Sequence, residues 1–262
     1  MASSFWSGEF YFDDEHSNTH KVCIVDFNNN EILKQIGGGF ALSTEKDVSY
    51  NNRPFYMEKE RTLENIVLQL CKTDKKPWSI VDIMDVTGWL FKKNFKKFQP
   101  TDFSNQGYDV VYYLKAIDMK KFLNPNMEGY LEVTFQSYDG YAYMISNNPI
   151  TLSANETKVV TNMSNVNNIY YPKIRIVNHG NANSTITIIN NTNGKSLEMS
   201  NINGGEIITI DCAIGSVVNS NGDNRFGILK NYDFIGLEKG RNTISLNGNA
   251  TIEFICEFPV LM

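Results

Sequence analysis

The chain has 262 residues, 42% of them hydrophobic and 20% charged, with a formal net charge of −5 at pH 7. That length allows one large domain or two ordinary ones, and the mildly acidic balance argues against nucleic-acid or anionic-membrane binding as the main task. No apolar run approaches the roughly 20 residues that span a bilayer, and the opening MASSFWSGEFYFDDEHS has neither the basic nor the apolar region of a signal peptide.

The first half mixes strands with a helix. FYF (10–12) and KVCIVDF (21–27) have the β-branched and aromatic content of strands, and IGGGF (36–40) suggests a glycine hinge or bulge. Residues 53–72 fit two patterns. Leu63, Ile66, Val67, Leu70 and Cys71 make a helical stripe, whereas Ile66, Leu68 and Leu70 alternate as in a strand. SIVDIMDVTGWLFKK (79–93) predicts a helix N-capped by Ser79, with Asp82 at the third position and Ile80, Ile83, Met84, Leu90 and Phe91 on the apolar face. Strands resume at YDVVYYLKAID (108–118). GYLEVTFQS (129–137) sets Leu131, Val133 and Phe135 against Glu132, Thr134 and Gln136, then meets an expected turn at Asp139-Gly140.

From residue 150 the pattern is strand and turn throughout. STITIIN (184–190) points Ile186 and Ile188 inward and Thr185 and Thr187 outward, and EIITIDC, RNTISLN and ATIEFICEF repeat the alternation. Turns are expected at Asn193-Gly194, Gly204-Gly205, Asn221-Gly222, Lys239-Gly240 and Asn247-Gly248. Residues 151–262 hold 20 asparagines and residues 1–150 hold 13, a bias that fits short strands joined by tight turns. Five N-x-[ST] triplets, at Asn155, Asn162, Asn183, Asn190 and Asn249, follow from that composition. The fold class expected is mainly β, an α+β N-terminal domain with one helix followed by an antiparallel sandwich, with a boundary near Asn147-Asn148-Pro149.

Four cysteines, Cys23, Cys71, Cys212 and Cys256, form no CxxC pair. All four are expected as buried free thiols, which fits folding in the cytosol. Strand alternation groups Cys212 with Ile208 and Ile210, and Cys256 with Ile252, Phe254 and Phe258.

Candidate chemistry is sparse. Asp211 sits on the polar side of its strand and is expected to cap the next turn, with no histidine within 30 residues in sequence, although His179 could approach it in space. NSNGDNR (219–225), which contains Asp223, is rich in oxygen ligands but lacks the calcium-loop spacing and reads as a hairpin turn. DDEHSNTH (13–20) places His16 and His20 beside carboxylates, yet without helical periodicity it reads as a solvated loop rather than a zinc site. KKNFKKF (92–98) reads as a charged loop after a helix or a salt-bridged contact between subunits, with Phe95 and Phe98 as stacking groups in the nucleic-acid alternative. No P-loop, GxSxG or HExxH occurs. No catalytic, cofactor or metal residue is therefore assigned, and the chain is not expected to be an enzyme.

Several stretches carry a resemblance when taken in order. Trp89-Leu90 ends a helix before a linker and YDVVYYLKAID. GYLEVTFQSYDGYAYM (129–144), YPKIRIVNHG (171–180), GGEIITIDCAIGSVVNSNGDN (204–224) and FIGLEKGRNTISLNGNATIEFICEF (234–258) follow. Over most of the chain these resemble the distal tail protein (Dit) family of long non-contractile phage tails. The resemblance implies a ring or belt domain at 1–148, with segment 61–71 a strand, and a galectin-like sandwich at 149–262. It further implies a homohexamer, in one ring or two stacked rings, whose ring domain hexamerises alone. The hub would join the tail tube protein to the baseplate proteins or the tail-associated fibre or lysin. DNA would pass through its channel, no cofactor or membrane would be involved, and the virion tail would be assembled in the bacterial host cytoplasm. The family's sugar-binding insertions are missing from this compact C-terminal half. The alternative is a carbohydrate-binding module for host cell-wall polysaccharide. Tryptophan is absent after Trp89, and Tyr170, Tyr171 and Tyr232 are the tyrosines beyond residue 150, which weighs against it.

Overall fold

The structure is a computed structural model that describes residues 8–25, 40–45, 55–61, 65–101, 108–146, 149–166 and 169–261. The chain divides into two compact units, Met1–Ala142 with Leu261–Met262, and Tyr143–Val260. The division falls inside a long strand, and Asn147 and Asn148, where the boundary was expected, lie outside the described residues.

The first unit is built on β1 (Phe10–Phe12), β2 (Glu15–His16), β3 (Val22–Val25), β4 (Phe40–Glu45), β5 (Phe55–Arg61), β6 (Ile66–Lys72), the helix α1 (Ile80–Leu90), β7 (Lys96–Pro100), β8 (Tyr108–Leu123) and β9 (Gly129–Ser146). Its main sheet has the order β2-β1-β7-β8-β9-β6-β3, and β4 and β5 pair antiparallel as a separate ladder. The ambiguous segment is therefore strand over 66–72. Leu68 and Leu70 sit opposite Val133 and Leu131 of β9, and all four are buried. Residues 26–27, most of the glycine segment 36–40, and Leu63 lie outside the described residues.

β9 continues where a turn was expected. It runs through Asp139-Gly140 because the local backbone is satisfied by side chains. Ser137 Oγ accepts from Gly140 N–H at 2.9 Å, Asp139 Oδ1 accepts from Tyr141 N–H at 3.0 Å, and Gly140 takes a φ of 70°.

The helix starts where expected. Ser79 Oγ accepts from Asp82 N–H at 3.0 Å, and Asp82 Oδ2 accepts from Ser79 N–H at 2.9 Å, a reciprocal capping box. Its buried face differs from the expected one. Ile83, Val86, Trp89 and Leu90 are buried, while Ile80 and Met84 are 73% and 67% exposed. Trp89 sets this phase. Its ring lies 5.4 Å from Phe10 in a core with Phe12, Phe98 and Phe135, and its Nε1–H donates to Phe12 O at 3.1 Å. Burying the largest side chain outweighs burying Ile80 and Met84.

The second unit has two antiparallel sheets. One runs β10 (Ile150–Leu152), β18 (Ala250–Ile255), β12 (Lys173–Asn178), β15 (Ile207–Asp211), β16 (Ser216–Asn219). The other runs β11 (Thr157–Asn162), β17 (Gly240–Asn247), β13 (Ser184–Asn190), β14 (Lys195–Ile202), and β19 (Glu257–Val260) closes the chain. Ile174, Ile176, Ile208, Ile210, Ile252 and Phe254 of the first sheet share one core with Ile186, Ile188, Leu197, Ile244 and Leu246 of the second. The inward alternation of 184–190, 207–212 and 250–258 is as expected, and the glycines of the expected turns (194, 205, 222, 240 and 248) all take positive φ.

Candidate functional site

The acidic residues each close a local structure. Asp211 ends β15 opposite Lys173 and Ser216. Its Oδ1 accepts from Ala213 N–H at 3.1 Å, and its Oδ2 lies 3.4 Å from Lys173 Nζ. Asp223 sits beyond Asn219, at the far end of the β15–β16 hairpin. There Asn219 Nδ2 donates to Asp223 Oδ2 at 3.0 Å, Asp223 N–H donates to Asn219 Oδ1 at 2.9 Å, and Gly222 turns the chain at a φ of 84°. Four residues of strand, about 13 Å, keep the two carboxylates apart. His179 follows the opposite end of β12 from Lys173 and bonds Thr251 Oγ1 at 2.8 Å, so it does not approach Asp211. Arg225, beside this turn, forks onto Glu206 with Nε to Oε1 at 2.7 Å and Nη2 to Oε2 at 3.0 Å. Burial opposes ionisation of Glu206, but the Arg225 bonds and the Asn203 N–H together outweigh it and hold the carboxyl below its ordinary value.

The segment 13–20 is not a solvated loop. It forms β2 and a 3-10 turn over Ser17–His20. His20 is tucked against Trp89 with Nδ1 2.8 Å from Asp85 Oδ2 and Nε2 3.0 Å from Glu15 Oε2. Both ring nitrogens are thus engaged by carboxylates within the fold. His16 uses its Nδ1 to accept from Asn18 N–H at 3.1 Å. Among the described residues no group of three or more His, Cys, Asp or Glu side chains is arranged to hold a metal ion.

The lysine run begins as the expected loop after the helix, over 92–95, and ends in a strand. Lys96–Pro100 is strand β7, Lys96 Nζ lies 2.9 Å from Asp13 Oδ1, and Phe98 is fully buried in the aromatic core. Phe95 meets Tyr138 edge-on at 5.3 Å. Phe98 therefore offers no face to a base; strand alternation turned it inward.

Two surface features escaped the sequence reading. Ile80, Val81 and Met84 leave an apolar strip on the outer side of α1. In the second unit Phe226 and Tyr232 stack at 5.3 Å with planes 12° apart, 39% and 66% exposed. Five residues, which leave a short 3-10 turn and continue without a repeating pattern, separate the two rings, so periodicity gives no sign of their pairing.

A search of curated protein sequences finds no match. Among solved structures, the SPP1 phage Dit protein, described as a paradigm of the hub adsorption apparatus in phages infecting Gram-positive hosts, superposes with a TM-score of 0.66 at 12% identity. The match covers 95% of this chain and 98% of that one. A chain of the phage P2 baseplate in its activated conformation with calcium matches at a TM-score of 0.55 and 12% identity, covering 94% of this chain and 97% of its own. The strontium form of that baseplate matches at 0.55 and 13%, with coverage of 94% and 97%. These are likenesses of fold. A family model described as the phage tail protein N-terminal domain matches residues 5–138, and a second, described as the phage tail C-terminal domain, matches residues 141–256. The chain belongs to this phage tail protein family, and its fold is that of the Dit-type distal tail proteins.

Proposed function

We propose that this phage tail component is the distal hub: a homohexameric ring that joins the tail tube to the baseplate or tip and leaves a channel for DNA. The observation that carries this reading is the end-to-end likeness to the SPP1 Dit protein, in which both units take part. In this reading residues 1–148 form the collar and residues 149–262 a galectin-like sandwich, assembled in the host cytoplasm into the virion tail. The role is structural rather than enzymatic. The acids described above support it, because each spends its oxygens on a turn, a cap or an ion pair within its own subunit.

A ring closed by sixfold symmetry needs two different complementary patches on each subunit. Sheet edges supply such patches through main-chain hydrogen bonds that tolerate sequence drift. A formal charge of −5 per subunit repels passing phosphates and suits a conduit. Light scattering on the full chain at micromolar concentration is expected to give a hexamer mass, with rings in negative stain. A monomer, or particles without a central opening, overturns the proposal.

The stacked Phe226–Tyr232 pair favours a second reading, in which the sandwich contacts cell-wall polysaccharide, because exposed aromatic faces stack on sugar rings. Titration with host cell-wall polysaccharide tests it. A saturable tyrosine signal that is lost in Tyr232→Ala supports it, and a flat titration removes it.

A further inference from the structure

Cys23 and Cys71 do not behave as the buried apolar thiols that the sequence suggests. They face each other directly across the β3–β6 ladder, both half-exposed, while Cys212 and Cys256 are buried. Opposed residues of an antiparallel pair project from the same face of the sheet. Thr73 N–H donates to Lys21 O at 2.9 Å, and Ile24 N–H turns outward to Gly8 O at 2.8 Å. Cys23 and Cys71 therefore occupy a hydrogen-bonded pair, for which the Cα atoms stand about 5.5 Å apart, inside the range that a disulfide spans. The Cβ atoms of such a pair stand about 1 Å wider than a disulfide prefers. β3 is the last strand in the sheet order, and its outer side is held at Gly8 through Ile24 N–H rather than by a paired strand, so it can close that gap more easily than a strand laddered on both sides.

The other two cysteines supply the contrast. Cys212 follows β15 and Cys256 follows β18, and β12 lies between those strands. Two strand spacings put them about 9–10 Å apart, beyond the reach of a disulfide.

We propose that Cys23 and Cys71 form a latent cross-strand disulfide site, joined by a peroxide-class oxidant into a bond that clamps the edge strand β3 to β6. One thiolate attacks hydrogen peroxide, the O–O bond breaks, and a sulfenic acid and hydroxide result. The second thiol attacks that sulfur, the S–S bond forms, and water leaves. Two thiols are oxidised by two electrons, and one peroxide is reduced to two waters. Burial raises both thiols above the ordinary value, with Glu9 adding to the effect at Cys23 and Cys23 adding to it at Cys71, so the reaction at neutral pH is slow. The thiols stay reduced in a cytosol and meet such oxidants outside it. The site follows from the register of β3 and β6 and stands whether or not the chain is a hexameric hub.

The test is peroxide treatment of the folded full-length chain, followed by maleimide labelling after denaturation and by non-reducing peptide mapping. The expected result is loss of two of the four thiols, with one intramolecular peptide pair joining Cys23 to Cys71, lighter by two hydrogens and restored by dithiothreitol. A bond between Cys212 and Cys256, disulfide-linked dimers, or sulfinic acids at Cys23 and Cys71 without a cross-link would overturn the proposal. So would four intact thiols after peroxide has fully oxidised a dithiol peptide in the same tube. Cys71→Ser is expected to leave Cys23 unpaired and labelled without denaturant, and a peroxide-induced cross-link in that variant would also overturn the proposal.

Discussion

His20 lies flat on Trp89, with ring centroids 4.1 Å apart and planes 14° from parallel. The contact joins the 3-10 turn to α1, and Asp85 on the same helix bonds the His20 ring from one side while Glu15 holds the other. His20→Ala removes the stack and leaves two carboxylates without their shared partner. The expected cost is about 2–3 kcal/mol. Trp6, Trp78 and Trp89 are the tryptophans of the chain and all belong to the first unit, so tryptophan fluorescence during urea unfolding reads that unit by itself. An unchanged midpoint would show that the turn is held by its backbone alone.

Asp82 carries both the helix cap and the Lys72 ion pair. Lys72 Nζ donates to Asp82 Oδ2 at 2.8 Å, and this bond, followed by the Ser79 N–H and hydroxyl, holds the carboxyl far below the ordinary aspartate value of 3.8. A group depressed in the folded state stabilises fully above its unfolded value and loses that contribution as pH falls through and below it. Asp82→Asn is therefore expected to cost about 1–3 kcal/mol at pH 7. The gap in urea midpoint between the two proteins should narrow as pH falls below 3.8. A gap that stays constant down to pH 3 would contradict the assignment.

The phase of α1 is testable by two neighbouring alanines. Ile83 is 8% exposed and Met84 67%. Ile83→Ala should destabilise the first unit by about 2–4 kcal/mol, and Met84→Ala by no more than about 0.5 kcal/mol. Tryptophan-detected unfolding distinguishes them, and equal costs would return the helix to the face read from the sequence.

In the sandwich, asparagine is a core residue as well as a turn residue. Asn162, Asn178, Asn190 and Asn242 are 0–2% exposed. Asn242 accepts from Glu238 N–H at 2.8 Å and donates to Glu238 O at 2.7 Å, while Asn190 Nδ2 bonds Gly236 O at 2.8 Å and Asn242 Oδ1 at 3.1 Å. Asn242→Ala strands the part-buried Glu238 N–H and C=O and the buried Asn190 amide at once and should cost about 2–3 kcal/mol. The calorimetric transition of the tryptophan-free unit would move down, with the tryptophan transition unmoved. A loss below about 0.5 kcal/mol would mean that water replaces the side chain.

Much of this was legible in the sequence. Period-two alternation at 129–135, 184–190 and 207–212 identified strands and their inward faces, because in an antiparallel sheet one face meets the core and the next residue cannot. Ser79 and Asp82 marked the helix start, because a cap is a contact between residues three apart. The turn glycines declared themselves, because positive φ is a local demand. Tertiary structure decided what sequence neighbours cannot. Trp89 rotated α1 away from the face its own periodicity suggested. Side-chain bonds at Ser137 and Asp139 carried β9 past an apparent turn. The register of β3 on β6 brought Cys23 to Cys71 across 48 positions. The Asn190–Gly236 bond and the His20–Asp85 contact join distant segments, whose free energy exists only once the sheets have brought them together, and the Phe226–Tyr232 stack joins residues six apart in chain without a repeating pattern.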